Sequence, residues 1–403
     1  MILQSCKKSY DNETQRTVSP EVTLSRVEKA LPAAGITRVA DITRLDRIGI
    51  PVFSSIRPTA GKGAVSVYNG KGATPIEARV SAIMEGIERF SGELGERPLI
   101  VARYRELAAT GNVLDPRELI LPEKADPEMP LPWVEGYDIV RDEEILVPAS
   151  AVFHPLPMDY PQLFRTTTNG LASGNTREEA VFHALMELVE RDAWSLVEAT
   201  RITGPRVTEI HDPLGKDLLS RFSAADVAVH VKDITSGMGI PTFAAVSDDV
   251  MLKDPSLLTI GMGTHTSSRI ALLRALTEVA QSRLTQIHGA REDAPTADFR
   301  KQIGYERTKR LNKYWFDAVS EEAFSDVASF DSDDFLTDIR FTIDRLKKCG
   351  LTRVIVTDLT RPEVEVPVVR VIVPGLEVYA MDQERMGKRC QDARRRHISR
   401  PKP

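Results

Sequence analysis

The sequence predicts a mixed α/β (α+β) fold with internally duplicated strand-loop-helix units, and three observations carry that reading. AVSVYNGKG alternates like a strand, ends in turn residues and meets a helix start at Thr74-Pro75-Ile76-Glu77, a capping box with proline in the first turn. The same order recurs in TTTNGLASGNTREEAVFHALMELVERDAW and again in SLLTIGMGTHTSSRIALLRALTEVAQSR. Laid over each other without gaps, Gly72–Arg89 and Gly174–Arg191 match at half of their positions, including Glu85/Glu187, Glu88/Glu190 and Arg89/Arg191.

The remaining elements follow from local chemistry. Ser19 and Pro20 suit the start of a helix running to about Ala33. In the second unit Asn175 and Glu178 read as cap and capping partner. A weaker third copy sets Ala275, Glu278 and Gln281 in register with Ala184, Glu187 and Glu190, an amide replacing the second carboxylate. Pro122 to Pro132 is a proline-rich connection. FLTDIRFTIDRLKKCG is an amphipathic helix stopped by Gly350, and TRVIVTD and VPVVRVIVPG are strands.

Composition excludes several classes of function. The 403 residues carry a formal net charge of −5, with 42% hydrophobic and 28% charged residues, so bulk charge attracts neither nucleic acid nor an anionic membrane. Cys6, Cys349 and Cys390 lack metal or disulfide spacing, and no apolar run approaches a membrane span; a cytoplasmic protein with unpaired thiols is expected. No P-loop or G-x-G-x-x-G occurs, and GMGTH reads as strand-end glycines. His183 and His265 read as satisfied polar residues, since neither has a second His at ligand spacing. No catalytic cysteine or Ser-His-Asp set has local support, so the catalytic residue is unknown.

The duplicated helices carry the chemistry. At 100° per residue Ser81, Glu85 and Glu88 share one stripe, with Ile83, Ile87 and Phe90 opposite. On the second helix Glu179, His183, Glu187 and Glu190 share a face, away from Val181, Leu185 and Leu188. Two carboxylates about 4 Å apart repel by roughly 4 kcal/mol at an effective dielectric near 20, so faces that meet across a cleft need countercharge. Oxygen-only ligands point to a hard ion such as Mg2+, which usually shares phosphate oxygens with a nucleotide. Arg89 and Arg191 stand ready to orient carboxylates or reach phosphate.

S-x-x-x-E-x-x-E-R at Ser81–Arg89, N-G-L-A-S-G-N-x-x-E-E-A with A-L-x-E-L-x-E-R at Asn169–Arg191, and A-L-x-R-A-L-T-E-x-x-Q-S-R at Ala271–Arg283 together resemble the YcaO family. The resemblance covers roughly Pro51 to Met386 and implies a YcaO-type fold that binds ATP and Mg2+ without a P-loop. It implies Glu85, Glu88, Glu187 and Glu190 as metal ligands. Arg16, Thr23, Ser81, Asn175, Glu179, Arg191, Arg274, Gln281 and Arg283 are implied as ATP contacts, although Arg283 lies opposite Arg274, Glu278 and Gln281 on a regular helix. Residues 1–60 are expected to contribute to the ATP site and 61–403 to form the YcaO domain, one compact unit together.

Family members phosphorylate a peptide amide oxygen after a nucleophile has added to its carbonyl. A neighbouring Cys, Ser or Thr then gives an azoline, and external sulfide gives a thioamide. The stretch from Thr37 to Glu93 resembles the methanogen-type members, methanogenesis marker 1, which thioamidate a glycine of the methyl-coenzyme M reductase alpha subunit, often with a TfuA partner. The resemblance therefore implies sulfide as co-substrate and a homodimer. Azoline-forming members often end in P-x-P-x-P, whereas this chain ends SRPKP. An azoline-forming cyclodehydratase and a non-catalytic nucleotide-binding accessory protein are the alternatives. Arg394–Arg396 read as a mobile solvated tail.

Overall fold

The computed structural model describes residues 1–290 and 296–398. Among the described residues the strands form four sheets, with all strand pairings antiparallel except one, which makes the class α+β. A hairpin pairs Tyr10–Asp11 with Gln15–Arg16. A three-stranded sheet runs Arg38–Asp41, Val52–Ile56, Val67–Lys71 in spatial order and so crosses residue 60. A six-stranded sheet ends on Leu171–Ser173, and a five-stranded sheet ends on Ile260–Thr264.

The three strand-loop-helix units explain this architecture. Val67–Lys71, Leu171–Ser173 and Ile260–Thr264 are each an edge strand of a different sheet. Each leads into a long helix: Pro75–Gly92, Arg177–Thr200 and Ser268–His288, here called the first, second and third helices. Each helix buries its apolar side on separate partners. Ile83 and Ile87 pack with Ala34, Ile36 and Val366. Val181, Leu185 and Leu188 pack with Val356, Val369 and Val371 of the six-stranded sheet. Leu272, Leu276 and Val279 pack with Phe243 and Ala245 of the five-stranded sheet. Each fully buried aliphatic side chain contributes about 1.5–3 kcal/mol, so the packing faces dictate helix rotation and leave the polar faces turned elsewhere.

The duplication extends to backbone detail. A Cβ on Gly72 would stand 2.5 Å from the Ala78 nitrogen, and one on Gly174 would stand 2.6 Å from the Ala180 nitrogen, the same offset in both units. Thr74 caps the first helix in a full capping box with Glu77. Thr176, not Asn175, caps the second, its hydroxyl accepting from the Glu179 amide at 3.2 Å. The expected cap is therefore one residue out of place: the repeat register governs, and Glu178 instead accepts from the Gln4 amide at 3.0 Å.

The first short helix ends earlier than its pattern implies, running Pro20–Val27 and tightening into a 3-10 turn at Glu28–Ala30. The amphipathic helix Phe335–Lys348 stops before Gly350, whose φ is +79°. The basic run is not a loose tail: it lies in the helix Lys388–Ile398, where Arg394 donates to the Ala199 carbonyl at 2.6 Å and the Tyr379 hydroxyl at 3.1 Å. Arg394 is half-buried by these contacts, while Arg395 and Arg396 are exposed. The terminal SRPKP, residues 399–403, lies outside the described residues. All three cysteines are unpaired, and among the described residues no helix is long and apolar enough to cross a membrane.

Candidate nucleotide and metal site

The polar faces of the three long helices meet around one cleft of about 710 Å³. Ser81, Glu85, Glu88 and Arg89 line it from the first helix, Glu179, His183, Glu187, Glu190 and Arg191 from the second, Arg274, Glu278 and Gln281 from the third. Arg16, Thr23 and Asn175 line it as well. Twelve of the thirteen candidate residues thus converge. Arg283 does not: it is fully buried on the opposite side of its helix, paired with Asp46 at 2.9 Å and Asp249 at 3.0 Å. Helical periodicity turns it away from the cleft.

Countercharge in the cleft comes from arginine and lysine. Arg89 binds Glu85 at 2.5 and 3.0 Å, four residues apart on one helix. Arg191 reaches Glu190 at 3.6 Å and Glu187 at 4.0 Å. Glu88 crosses between units, accepting from the Ser173 amide at 3.0 Å at the end of the second repeat strand. Lys71, which closes the first repeat strand, pairs with Glu278.

The N-terminal hairpin ties together two glutamates at equivalent positions of the repeat, Glu77 and Glu179. Glu77 accepts from Tyr10 at 2.6 Å and Asn12 at 2.9 Å. Its counterpart Glu179 accepts from the Thr17 hydroxyl at 2.9 Å, the Thr17 amide at 3.0 Å and the Asn175 amide at 3.1 Å, with Arg16 3.8 Å away. Thr23 in turn donates to Asn175 at 2.9 Å. Arg16, Thr23, Asn175 and Glu179 therefore form one connected group.

Burial strains the charges. It lifts Glu88 well above the usual carboxylate range, with Glu85 adding to the effect. Burial also raises Glu187, and raises Glu190 to about 7 against the pull of Arg191. Glu278 goes the other way: Lys71 and Arg191 outweigh its desolvation and hold it low. Glu13, in the hairpin turn, is pushed up to about 8 by burial and by Glu77.

Several cleft residues keep unmet hydrogen-bonding capacity. Arg16 Nη1, Arg89 Nη1, Arg191 Nε and Arg274 Nε are buried donors without a partner, and such a group costs about 1–3 kcal/mol until an acceptor arrives. His183 is not the satisfied residue its sequence context predicts, because its buried Nε2 has no partner. His265 accepts from the Ser267 amide at 3.0 Å through Nδ1, yet its Nε2 is also unpartnered. Desolvation holds both rings neutral, well below the usual histidine pKa.

This inventory fits a metal-bound triphosphate. Among the described residues no three His, Cys, Asp or Glu side chains close on one point as a self-contained metal cage. Mg2+ rarely uses such a cage; it takes one or two carboxylates and completes its shell with phosphate oxygens and water. Unpartnered guanidinium donors beside raised carboxylates supply complementary halves of that arrangement: donors for phosphate, oxygens for the ion.

Glu278, Lys71, Glu77 and Glu13 belong to the cleft without having been assigned to it from sequence. The signal for Glu278 is its register with Glu187, and for Glu77 its register with Glu179. Lys71 and Glu13 carry none, since neither lies on a repeated helical face.

Residues 69–377 match the family described as YcaO cyclodehydratase, ATP- and Mg2+-binding. The chain is 50% identical over 390 residues to an uncharacterized protein of Methanothermobacter thermautotrophicus, covering 94% of this chain and 99% of that one. It is 34% identical over 381 residues to an uncharacterized protein in the tfuA 3′ region of Rhizobium leguminosarum bv. trifolii, covering 90% and 89%. Among solved structures it is similar to YcaO from Methanopyrus kandleri bound with AMPPCP and Mg2+, with a TM-score of 0.79, 30% identity, and coverage of 95% and 98%. The chain belongs to the YcaO family of ATP-dependent peptide-modifying enzymes.

Proposed function

We propose that this protein uses Mg·ATP and sulfide to convert a backbone amide into a thioamide, with a glycine of the methyl-coenzyme M reductase alpha subunit as substrate. The observation that carries the reading is the three-helix cleft, with its unpartnered guanidinium donors and buried carboxylates, in a chain 50% identical over nearly its whole length to a methanogen protein.

In this reading Glu85, Glu88, Glu187 and Glu190 hold the metal ions. Arg16, Thr23, Ser81, Asn175, Glu179, Arg191, Arg274 and Gln281 hold the nucleotide, and Arg283 is withdrawn from that set. Bound Mg2+ offsets the charge that gathers on the phosphates. Sulfide adds to the amide carbonyl, and the oxyanion so formed attacks the γ-phosphorus and releases ADP. The amide nitrogen's lone pair remains, the phosphorylated oxygen leaves as phosphate, and loss of the sulfur proton completes the C=S bond. Arg191 and Arg274 stabilise negative charge as it moves from the amide oxygen to phosphate. No side chain has to act as a covalent nucleophile.

A TfuA-type partner is supported by the relative from the tfuA 3′ region, and a homodimer is the assembly proposed from family resemblance. The second reading is azoline formation, which the family description itself favours. One experiment separates them: incubation of a glycine-containing peptide from the alpha subunit with Mg·ATP and sulfide, with and without a TfuA-type protein. Thioamidation gives sulfide-dependent ATP consumption and a mass gain equal to oxygen-to-sulfur exchange. Loss of water at Cys, Ser or Thr without sulfide identifies the azoline reaction. ATP binding without turnover under every condition identifies an accessory protein.

A further inference from the structure

The cleft continues beyond the residues proposed to hold nucleotide and metal. At 1.5 Å per residue, Glu179 to Arg191 spans about 18 Å of the second helix, and this stretch carries the nucleotide and metal contacts. Another 10 Å or so of helix leads on to Glu198, and the lining changes to Trp194, Glu198, Thr308, Asn312, Trp315 and Phe316. Glu198 accepts from both indoles, Trp194 and Trp315, at 3.3 Å each, and from the Tyr314 hydroxyl at 3.0 Å. One carboxylate thus fixes both rings.

Two features tie this wall to a ligand. The Arg191 guanidinium lies over the Trp194 ring at 5.5 Å, joining the phosphate end to the aromatic end. Thr308 is only 3% exposed, and its buried hydroxyl has no partner in the protein. Asn312, which lines the same end, donates its side-chain amide to the Thr308 backbone carbonyl at 2.9 Å and brings a second polar side chain to this wall. A triphosphate gains little from indoles fixed by a carboxylate. A peptide gains more: its flat amide planes pack on aromatic faces, and its N–H and C=O groups pair with a hydroxyl and a carboxamide.

We propose that the Trp194–Trp315 end of the cleft is the acceptor subsite, seating an extended peptide so that one backbone carbonyl faces the phosphate end at Arg191. The subsite rests on the functional reading only in taking a peptide as the second substrate. It is tested by binding rather than by product, so that the two can fail separately.

A fluorescently labelled glycine-containing peptide from the methyl-coenzyme M reductase alpha subunit is titrated with full-length protein saturated with Mg2+ and AMPPCP. Trp194→Ala weakens peptide binding about tenfold, and Thr308→Val, which keeps the shape and removes the hydroxyl, weakens it severalfold. Calorimetry finds Mg·AMPPCP affinity in Thr308→Val equal to that of the unmodified protein. Unchanged peptide affinity in both variants overturns the subsite, as does the absence of peptide binding by the unmodified protein. A loss of Mg·AMPPCP affinity in both variants that matches the loss of peptide affinity also overturns it, since this end would then hold the nucleotide. Intact peptide binding without any thioamide product supports the subsite and counts against the functional reading alone.

Discussion

Glu77 and Glu179, equivalent positions of two repeated helices, hold the two sides of one hairpin: Glu77 binds Tyr10 and Asn12, and Glu179 binds Thr17, directly after the second strand. The hairpin carries Arg16 into the cleft, so its position depends on both helices.

Glu77→Ala should therefore act twice. Loss of the capping box costs about 1 kcal/mol of stability. Loss of the Tyr10 and Asn12 contacts frees the hairpin, so amide exchange in residues 10–17 should rise and Mg·ATP affinity fall severalfold. Exchange unchanged in that segment would contradict the linkage.

Arg283 gives a prediction of the opposite kind. It is buried between Asp46 and Asp249, and removing one partner of a buried ion pair costs about 3–5 kcal/mol. Denaturant unfolding of Arg283→Ala should show a loss of that size. At temperatures where the variant stays folded, its Mg·ATP affinity should match that of the unmodified protein.

The raised carboxylates predict a pH response. Burial sets Glu190 at about 7, above its ordinary 4.5, so its contribution to stability is complete below pH 4.5 and lost as pH rises through 7. Metal binding needs the ionised form and runs the other way. Mg·ATP affinity should rise with pH up to about 7 and then level off, with proton release on binding. Calorimetry in two buffers of different ionisation enthalpy, corrected for the nucleotide's own titration, reads that release. Proton uptake at pH 6.5 would contradict the assignment.

Much of the site is legible in the sequence because one helical period does two jobs. Ile83 and Ile87 announce a packed face, and the same 100° step puts Ser81, Glu85 and Glu88 opposite it. Repetition then identifies Glu187 and Glu190 by register alone. What periodicity does not contain is which sheet each helix packs on. That is why Lys71, Glu13 and the Trp315 wall come only with the fold: each reaches the cleft through contacts distant in sequence, as in the Lys71–Glu278 pair. The displaced cap has a local cause. Asn175 and Thr176 are both good caps, and the choice falls to Thr176 because Asn175 is engaged by Thr23 and Glu179.

The central claim is that carboxylates from two repeated helices hold the metal of one nucleotide. Calorimetric titration of Mg·AMPPCP into Glu85→Gln and Glu190→Gln tests it most directly, because the two substitutions lie on different helices and each removes charge while keeping shape. Both variants should bind at least about tenfold more weakly than the unmodified protein, which is about 1.4 kcal/mol, and the deficit should vanish when Mg2+ is omitted. Unchanged affinity in both variants would contradict the claim.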